Sequence, residues 1–208
     1  MEAQFGGSAL NQRTILSHPI GLFVLFFTEM WERFSYYGMR AILVLFLTSS
    51  LMEEGWAWSR EDALVLYGWY TGLVYLTPIL GGFLADKFLG YRNATILGAF
   101  IMTLGHASMA LESFTESFFY LGLGLMIVGN GFFKPNISSI VGQLYKVDDK
   151  RKDGGYTIFY MGINAGAFLG ILLCGYIGEK VGWHLGFGLA GIFMFIGMLQ
   201  VWLAQKIF

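Results

Sequence analysis

The residues that could do chemistry lie close together in "TEMWERFSYYGMR", Thr28 to Arg40. Glu29, Arg33, Tyr36 and Arg40 follow one another at four, three and four residues. On a helix they share one face, with Glu32 and Tyr37 flanking it. A carboxylate beside a guanidinium group can hold and release a proton. A freed guanidinium can take a ligand carboxylate through two parallel hydrogen bonds. Yet "PIGLFVLFF" precedes the cluster and "AILVLFL" follows it. At about 1.5 Å per residue, Glu29 stands roughly 15 Å along the helix from Pro19, near the middle of a bilayer. Intramembrane charges are expensive enough that function is their default reading. A buried ion-pair network that only holds helices together is the competing one.

Lys134 in "GNGFFKPNISS" is the second deep charge. Pro135 beside it frees a carbonyl one turn earlier, so the helix is expected to open there and offer a polar surface to a cavity. Glu29 and Glu32 are the deep acids that can pair with Lys134. With both ionised, Glu29, Glu32, Arg33 and Lys134 sum to zero, which makes a set of buried charges tolerable.

Composition names the solvent in which these residues must be held. Of 208 residues 56% are apolar and 13% charged, against roughly a quarter charged in a soluble domain. The mean hydropathy is +0.59. Twenty-nine glycines suit helices packed closely in a membrane. The net charge of −1 gives no sign of nucleic-acid binding, and the single cysteine, Cys174, excludes an internal disulfide. The first 19 residues lack the short apolar core and cleavage site of a signal peptide.

Six stretches reach the length of about 20 residues that a bilayer demands: 19–48, 63–85, 93–112, 117–143, 156–178 and 184–205. They lack the period-two alternation of barrel strands, so the fold class is all-α, a polytopic membrane protein of six transmembrane helices. Pro19 suits the first helical turn. Residues 1–18 read as a cytoplasmic N-terminal segment and 19–208 as one six-helix transmembrane bundle. Arg13, Lys87, Arg92, Lys146, Lys150, Arg151, Lys152 and Lys206 lie on one side and only Arg60 and Lys180 on the other. This asymmetry predicts that both ends of the chain are cytoplasmic. Charges recur in spans one and four and glycine-rich stretches in spans two and five, the pattern of two inverted three-helix repeats within one half of a major-facilitator transporter.

Other motifs are read against blander roles. "GGFLADKFLGYR" has close-packing glycines, with Asp86 and Arg92 placed to bridge helix ends as a breakable gating latch; it matches the loop motif of the major facilitator superfamily. In "FYMGINAG", Tyr160 and Asn164 share a face and are candidates for a cavity wall, while Gly162, Gly166 and Gly170 form a helix-contact stripe. Tyr67 and Tyr75 are further wall candidates. Trp56 and Trp58 read as interfacial anchors, and His106 as a hydrogen-bonded packing residue. There is no phosphate-binding loop, metal-ligand spacing or nucleophile–base pair, so no enzyme, metal or cofactor is expected.

Taken together, "ExxERFxYYG" (Glu29, Glu32, Arg33, Phe34, Tyr36, Tyr37, Gly38), "GNGFFKPN" and "FYxxINxG" resemble the motifs of the proton-dependent oligopeptide transporters. That family moves di- and tripeptides, and in some plant members nitrate, with the proton as coupling ion. The resemblance implies that Glu29 and Glu32 couple to protons. It implies that Arg33 and Lys134 are their partners and anchor a peptide carboxylate, and that Tyr37, Tyr75, Tyr160 and Asn164 line the binding site. Tyr36 and Arg40 are additional cavity candidates. The histidine that animal members carry in span two has no counterpart here, so coupling should rest on the span-one acids. Members have at least twelve spans, so the C-terminal six-helix bundle is missing from this chain. The full-length transporter is expected to be a monomer in the cell (cytoplasmic or inner) membrane. An anion symporter of the nitrate type, or a six-span channel or scaffold, is the alternative. The intact "EMWER" favours peptides.

Overall fold

The computed structural model describes residues 13–207. Of the 1–18 segment, residues 1–12 lie outside the described residues. Arg13 onward leads into two short antiparallel strands, β1 (Thr14–Ile15) and β2 (His18–Pro19). Six long helices follow among the described residues: α1 (Ile20–Thr48), α2 (Arg60–Leu84), α3 (Tyr91–Met109), α4 (Glu116–Gln143), α5 (Lys152–Lys180) and α6 (Trp183–Leu203). The small hairpin is the one departure from the expected all-helical chain. Pro19 also sits one position earlier than expected, with φ −56° and ψ 140°, capping α1 rather than joining it.

Four of the helical stretches are apolar and long enough to cross a membrane: α2 with its extension to Leu89, α4, α5, and α6 with its extension to Lys206. The chain is therefore a multi-pass helical membrane protein. The other two, α1 and α3, fall short for a chemical reason. Four charges interrupt α1 at Glu29, Glu32, Arg33 and Arg40, and α3 carries Arg92, Asn93, Thr95, Thr103, His106 and Ser108.

The helices interlock. α1 lies chiefly against α5 and α6, α4 against α3 and α2, and α3 meets α6, while α1 and α4 touch only lightly. Small residues set these seams. A Cβ on Gly162, Gly166 or Gly170 of α5 would strike the backbone carbonyl of Phe26, Met30 or Phe34 on α1, as a helix-contact stripe requires. Gly98 and Gly105 of α3 meet Gly129 and Gly122 of α4 in the same way, each facing the other's carbonyl. With no hydrophobic drive in lipid, this close approach supplies the van der Waals contact that holds the helices.

Both helix-internal prolines are absorbed at the α2–α4 seam. Pro78 removes the N–H that would bond the Val74 carbonyl. The buried Asn130 of α4 donates its side-chain amide to that carbonyl at 3.0 Å. Thr77 returns a bond to the Ile127 carbonyl at 2.9 Å. On α4, Pro135 frees the Gly131 carbonyl, which packs against Gly81 of α2. The expected opening of α4 toward a cavity is thus not what forms. The helix runs unbroken, and its freed carbonyl is turned into a helix contact.

An aromatic cluster closes one end of the bundle. The Trp56 ring packs at a tilt 4.7 Å from Phe119 and 5.2 Å from Phe46, with Trp58 5.8 Å from Trp56. Both tryptophans are half-buried against the core. His106 also departs from expectation. It is fully buried, and neither ring nitrogen has a partner among the described residues, because its α3 position faces the apolar flank of α6 near Gly191.

Candidate functional site

Helical spacing brings the α1 residues together as the sequence implied. Glu29 Oε1 accepts from Lys134 Nζ of α4 at 2.7 Å and lies 3.3 Å from Arg33 Nε. Arg33 Nε also donates to Glu32 Oε2. Two acids and two bases, whose formal charges cancel, form one connected unit bridging the lightly touching α1 and α4. Both carboxylates are fully buried and Arg33 is 5% exposed, whereas the Lys134 side chain is 33% exposed. Lys134 is therefore the member that faces open space.

The chain of contacts continues toward the C-terminal end of α1. The Arg33 guanidinium sits over the Tyr36 ring at 5.1 Å and the Tyr37 ring at 5.8 Å. Arg40 sits over Tyr36 at 5.2 Å and Tyr67 at 5.2 Å. It donates from Nε to the Tyr67 hydroxyl at 3.0 Å and from Nη1 to the Tyr36 hydroxyl at 3.4 Å. Tyr37, Arg40, Ala41, Tyr67 and Ile171 line a pocket of 240 Å³ between α1, α2 and α5. A larger hollow of 490 Å³, lined by Glu53, Glu54, Lys180 and Trp183, lies at the C-terminal ends of α1 and α5 and holds no member of the cluster.

Three wall candidates stand apart. Tyr75, Tyr160 and Asn164 are exposed, and no hydrogen bond among the described residues ties their side chains to the charges; Asn164 donates to the Tyr160 carbonyl at 3.2 Å. Nor are Asp86 and Arg92 paired in this conformation. α2 continues through a π-helical turn, Ala85–Leu89, to Gly90, whose φ of 74° lets the chain reverse into α3. Asp86 stays exposed on that turn, while Arg92 Nη1 donates to the Gln205 carbonyl beyond α6 at 3.1 Å.

Sequence reasoning missed Tyr70. It is 2% exposed, and its hydroxyl has no partner among the described residues. Its three-residue spacing from Tyr67 was the available signal. Glu29 Oε2, Glu32 Oε1 and Arg33 Nη2 are buried and likewise unmatched. The cluster thus keeps acceptor oxygens and a donor in hand, unusual for buried polar groups. Chemically, acids and bases held this way can exchange a proton and bind an anion.

Known proteins resemble this chain in sequence and in fold. The sequence profile of the POT family (PTR2) matches residues 92–208. The chain is 44% identical over 198 residues to the uncharacterized transporter YclF of Bacillus subtilis, covering 95% of this chain and 40% of that protein. It is 45% identical to the peptide transporter YePEPT of Yersinia enterocolitica, over 90% of this chain and 37% of that one. It is 44% identical to a di-/tripeptide transporter of Lactococcus lactis, over 92% and 39%. A crystal structure of the peptide transporter POT in complex with sulfate superposes with a TM-score of 0.94 at 43% identity, covering all of this chain and 42% of that one. The chain thus spans about 40% of the length of these relatives. A profile match over more than half of the residues, joined to a fold shared along the whole chain, leads to one conclusion: the chain belongs to the POT family.

Proposed function

We propose that this chain is the N-terminal six-helix half of a proton-coupled symporter of di- and tripeptides, not an enzyme. The observation that carries the reading is the deep, neutral set Glu29–Lys134–Arg33–Glu32, shared between two helices and open to one side only at Lys134. Relatives named as peptide transporters support the substrate class. The interlocking contacts support two inverted triplets, α1–α3 and α4–α6, since α1 leans on two helices of the second triplet and α4 on two of the first. α1 and α3 then complete six spans over residues 19–208, with residues 1–18 and both chain ends cytoplasmic, in the cell membrane. A second six-helix bundle supplies the opposite cavity wall. The full-length transporter works as a monomer, with the proton as coupling ion and no other cofactor.

In this reading a proton on Glu29 or Glu32 leaves one positive charge unmatched in a low-dielectric site. Lys134, the exposed base, is then free to receive the peptide carboxylate. Arg33, covered by Tyr36 and Tyr37, acts from behind it. Proton and peptide each raise the affinity for the other by the same factor. Tyr37, Tyr75, Tyr160 and Asn164 line the near wall, Tyr36 and Arg40 extend it, and Asp86 and Arg92 gate the cytoplasmic end. The peptide amine finds its acid in the second bundle, because both acids here are engaged.

The test uses Glu29→Gln and Glu32→Gln in the whole transporter, reconstituted in liposomes. Accumulation of a labelled dipeptide driven by a pH gradient should vanish, while exchange at equal pH on both sides persists. If both variants accumulate peptide normally, the cluster is merely structural.

A further inference from the structure

The charged site draws on α1, α2, α4 and α5, which leaves α3 and α6 on a flank of their own. Where α3 begins and α6 ends, that flank holds a groove of 340 Å³ lined by Asn93, Ile96, Leu97, Phe100, Trp202 and Gln205. Its polarity is graded. Asn93 and Gln205 mark the helix ends, and the apolar residues lie one to two turns further into the membrane. Leu97, Phe100 and Trp202 are 37%, 49% and 50% exposed, so the groove has no protein cover among the described residues.

Its rim is basic. Arg92 reaches across from α3 to the Gln205 carbonyl, and its Nε is buried without a partner among the described residues. Lys206 is exposed beside Gln205. Across 85–93 and 200–207 the charged residues are Asp86 against Lys87, Arg92 and Lys206. The first turn of α3 has no acid and no side-chain cap, so the positive end of the helix adds to that sign.

We propose that this groove binds one anionic phospholipid, with an acyl chain along Ile96, Leu97, Phe100 and Trp202 and the phosphate between Arg92 and Lys206. A zwitterionic lipid meets the same apolar wall but gains little from the rim charge. Basic pockets between transmembrane helices select anionic headgroups in this way, and tryptophan belongs at that depth. The inference rests on the membrane placement of the chain and is independent of peptide or proton binding.

Native mass spectrometry of the whole transporter, titrated with equimolar phosphatidylglycerol and phosphatidylcholine, tests it. Phosphatidylglycerol should be retained in preference, and Lys206→Gln and Arg92→Gln should each weaken its binding about five-fold, the value of one surface charge near 1 kcal/mol. Leu97→Trp, which fills the groove, should reduce bound phosphatidylglycerol while both basic residues remain. Lys206 is exposed, so its variant stays informative even if Arg92→Gln fails to fold. Equal retention of the two lipids, or undiminished phosphatidylglycerol binding in both Lys206→Gln and Leu97→Trp, overturns the proposal.

Discussion

Two clusters in this molecule pair the same chemical groups and do different things. In the bundle interior, Glu29 and Glu32 share Arg33 and Lys134 with both carboxylates wholly buried. In the α4–α5 turn, at the surface, Arg151 grips Asp149 through Nε at 2.9 Å and Nη2 at 2.7 Å, with the arginine half-exposed. Arg151 also donates to the Ser17 carbonyl at 2.6 Å, and the nearby His18 Nδ1 lies 2.7 Å from the Tyr145 hydroxyl, so this clamp pins the N-terminal hairpin to the turn. Water screens the outer pair, and either partner can leave it at little cost. The inner set has no such freedom: removing one member strands another in a low-dielectric site. The same ion pair is a local fastener outside and, in the function proposed above, a proton switch inside.

The sharpest way to break that contrast is Lys134→Ala. It leaves the wholly buried Glu29 with half of its compensation, a loss below the roughly 3–5 kcal/mol of a fully buried pair because Lys134 is itself a third exposed, unless the acid takes up a proton. The transporter should meet that cost by holding the proton, so pH-driven dipeptide accumulation should disappear. Normal accumulation in proteoliposomes would mean that the inner set is no more coupled than the outer one.

A smaller effect is expected from the packing behind the cluster. A Cβ on Gly166 would strike the Met30 carbonyl and come within 3.1 Å of the Arg33 Cβ. Gly166→Ala should cost about 1–3 kcal/mol as overpacking and displace Arg33 from the acids. A thermal melt should show lower stability together with weaker driven uptake. An unchanged melt and uptake would mean that the α1–α5 seam yields without disturbing the charges.

Asn130→Ala belongs at a similar or slightly lower level. It strands the Val74 carbonyl, at about 1–3 kcal/mol for an unsatisfied buried acceptor. Since the seam carries no charge, stability should fall while the pH dependence of uptake keeps its shape. A shifted pH profile would tie the α2–α4 seam to the proton site.

The smallest effect belongs to the outer clamp. The bonds from Arg151 hold the Asp149 carboxyl down at about 2, against an ordinary 3.8. A depressed carboxyl contributes its stabilisation above its unfolded value and loses it as the pH falls through the folded one. The clamp should therefore loosen between about pH 4 and pH 2. Asp149→Asn should leave uptake unchanged and raise amide hydrogen exchange across Lys146–Lys152. No change in exchange there would show that the Ser17 bond alone fastens the turn.

How much was legible beforehand follows from the range of each interaction. Period and spacing are local, so the sequence alone determined that Glu29, Arg33, Tyr36 and Arg40 share a face of one helix, and where the helices start and stop to within a few residues. Its apolar composition determined the solvent, and its deep charges required one another as partners. Only the tertiary structure decided that Lys134 chooses Glu29 over Glu32, because that depends on how α4 is set against α1, which it touches only lightly. It decided that the carbonyl freed by Pro135 faces Gly81 instead of a cavity, and that Asn130 answers the one freed by Pro78. It also turned Arg92 toward Gln205 instead of Asp86 and packed His106 against α6 near Gly191. Each of these is a contact between helices far apart in the chain. Helical periodicity fixes which face a residue lies on, while the rotation and depth of one helix against another come from the packing of all of them at once.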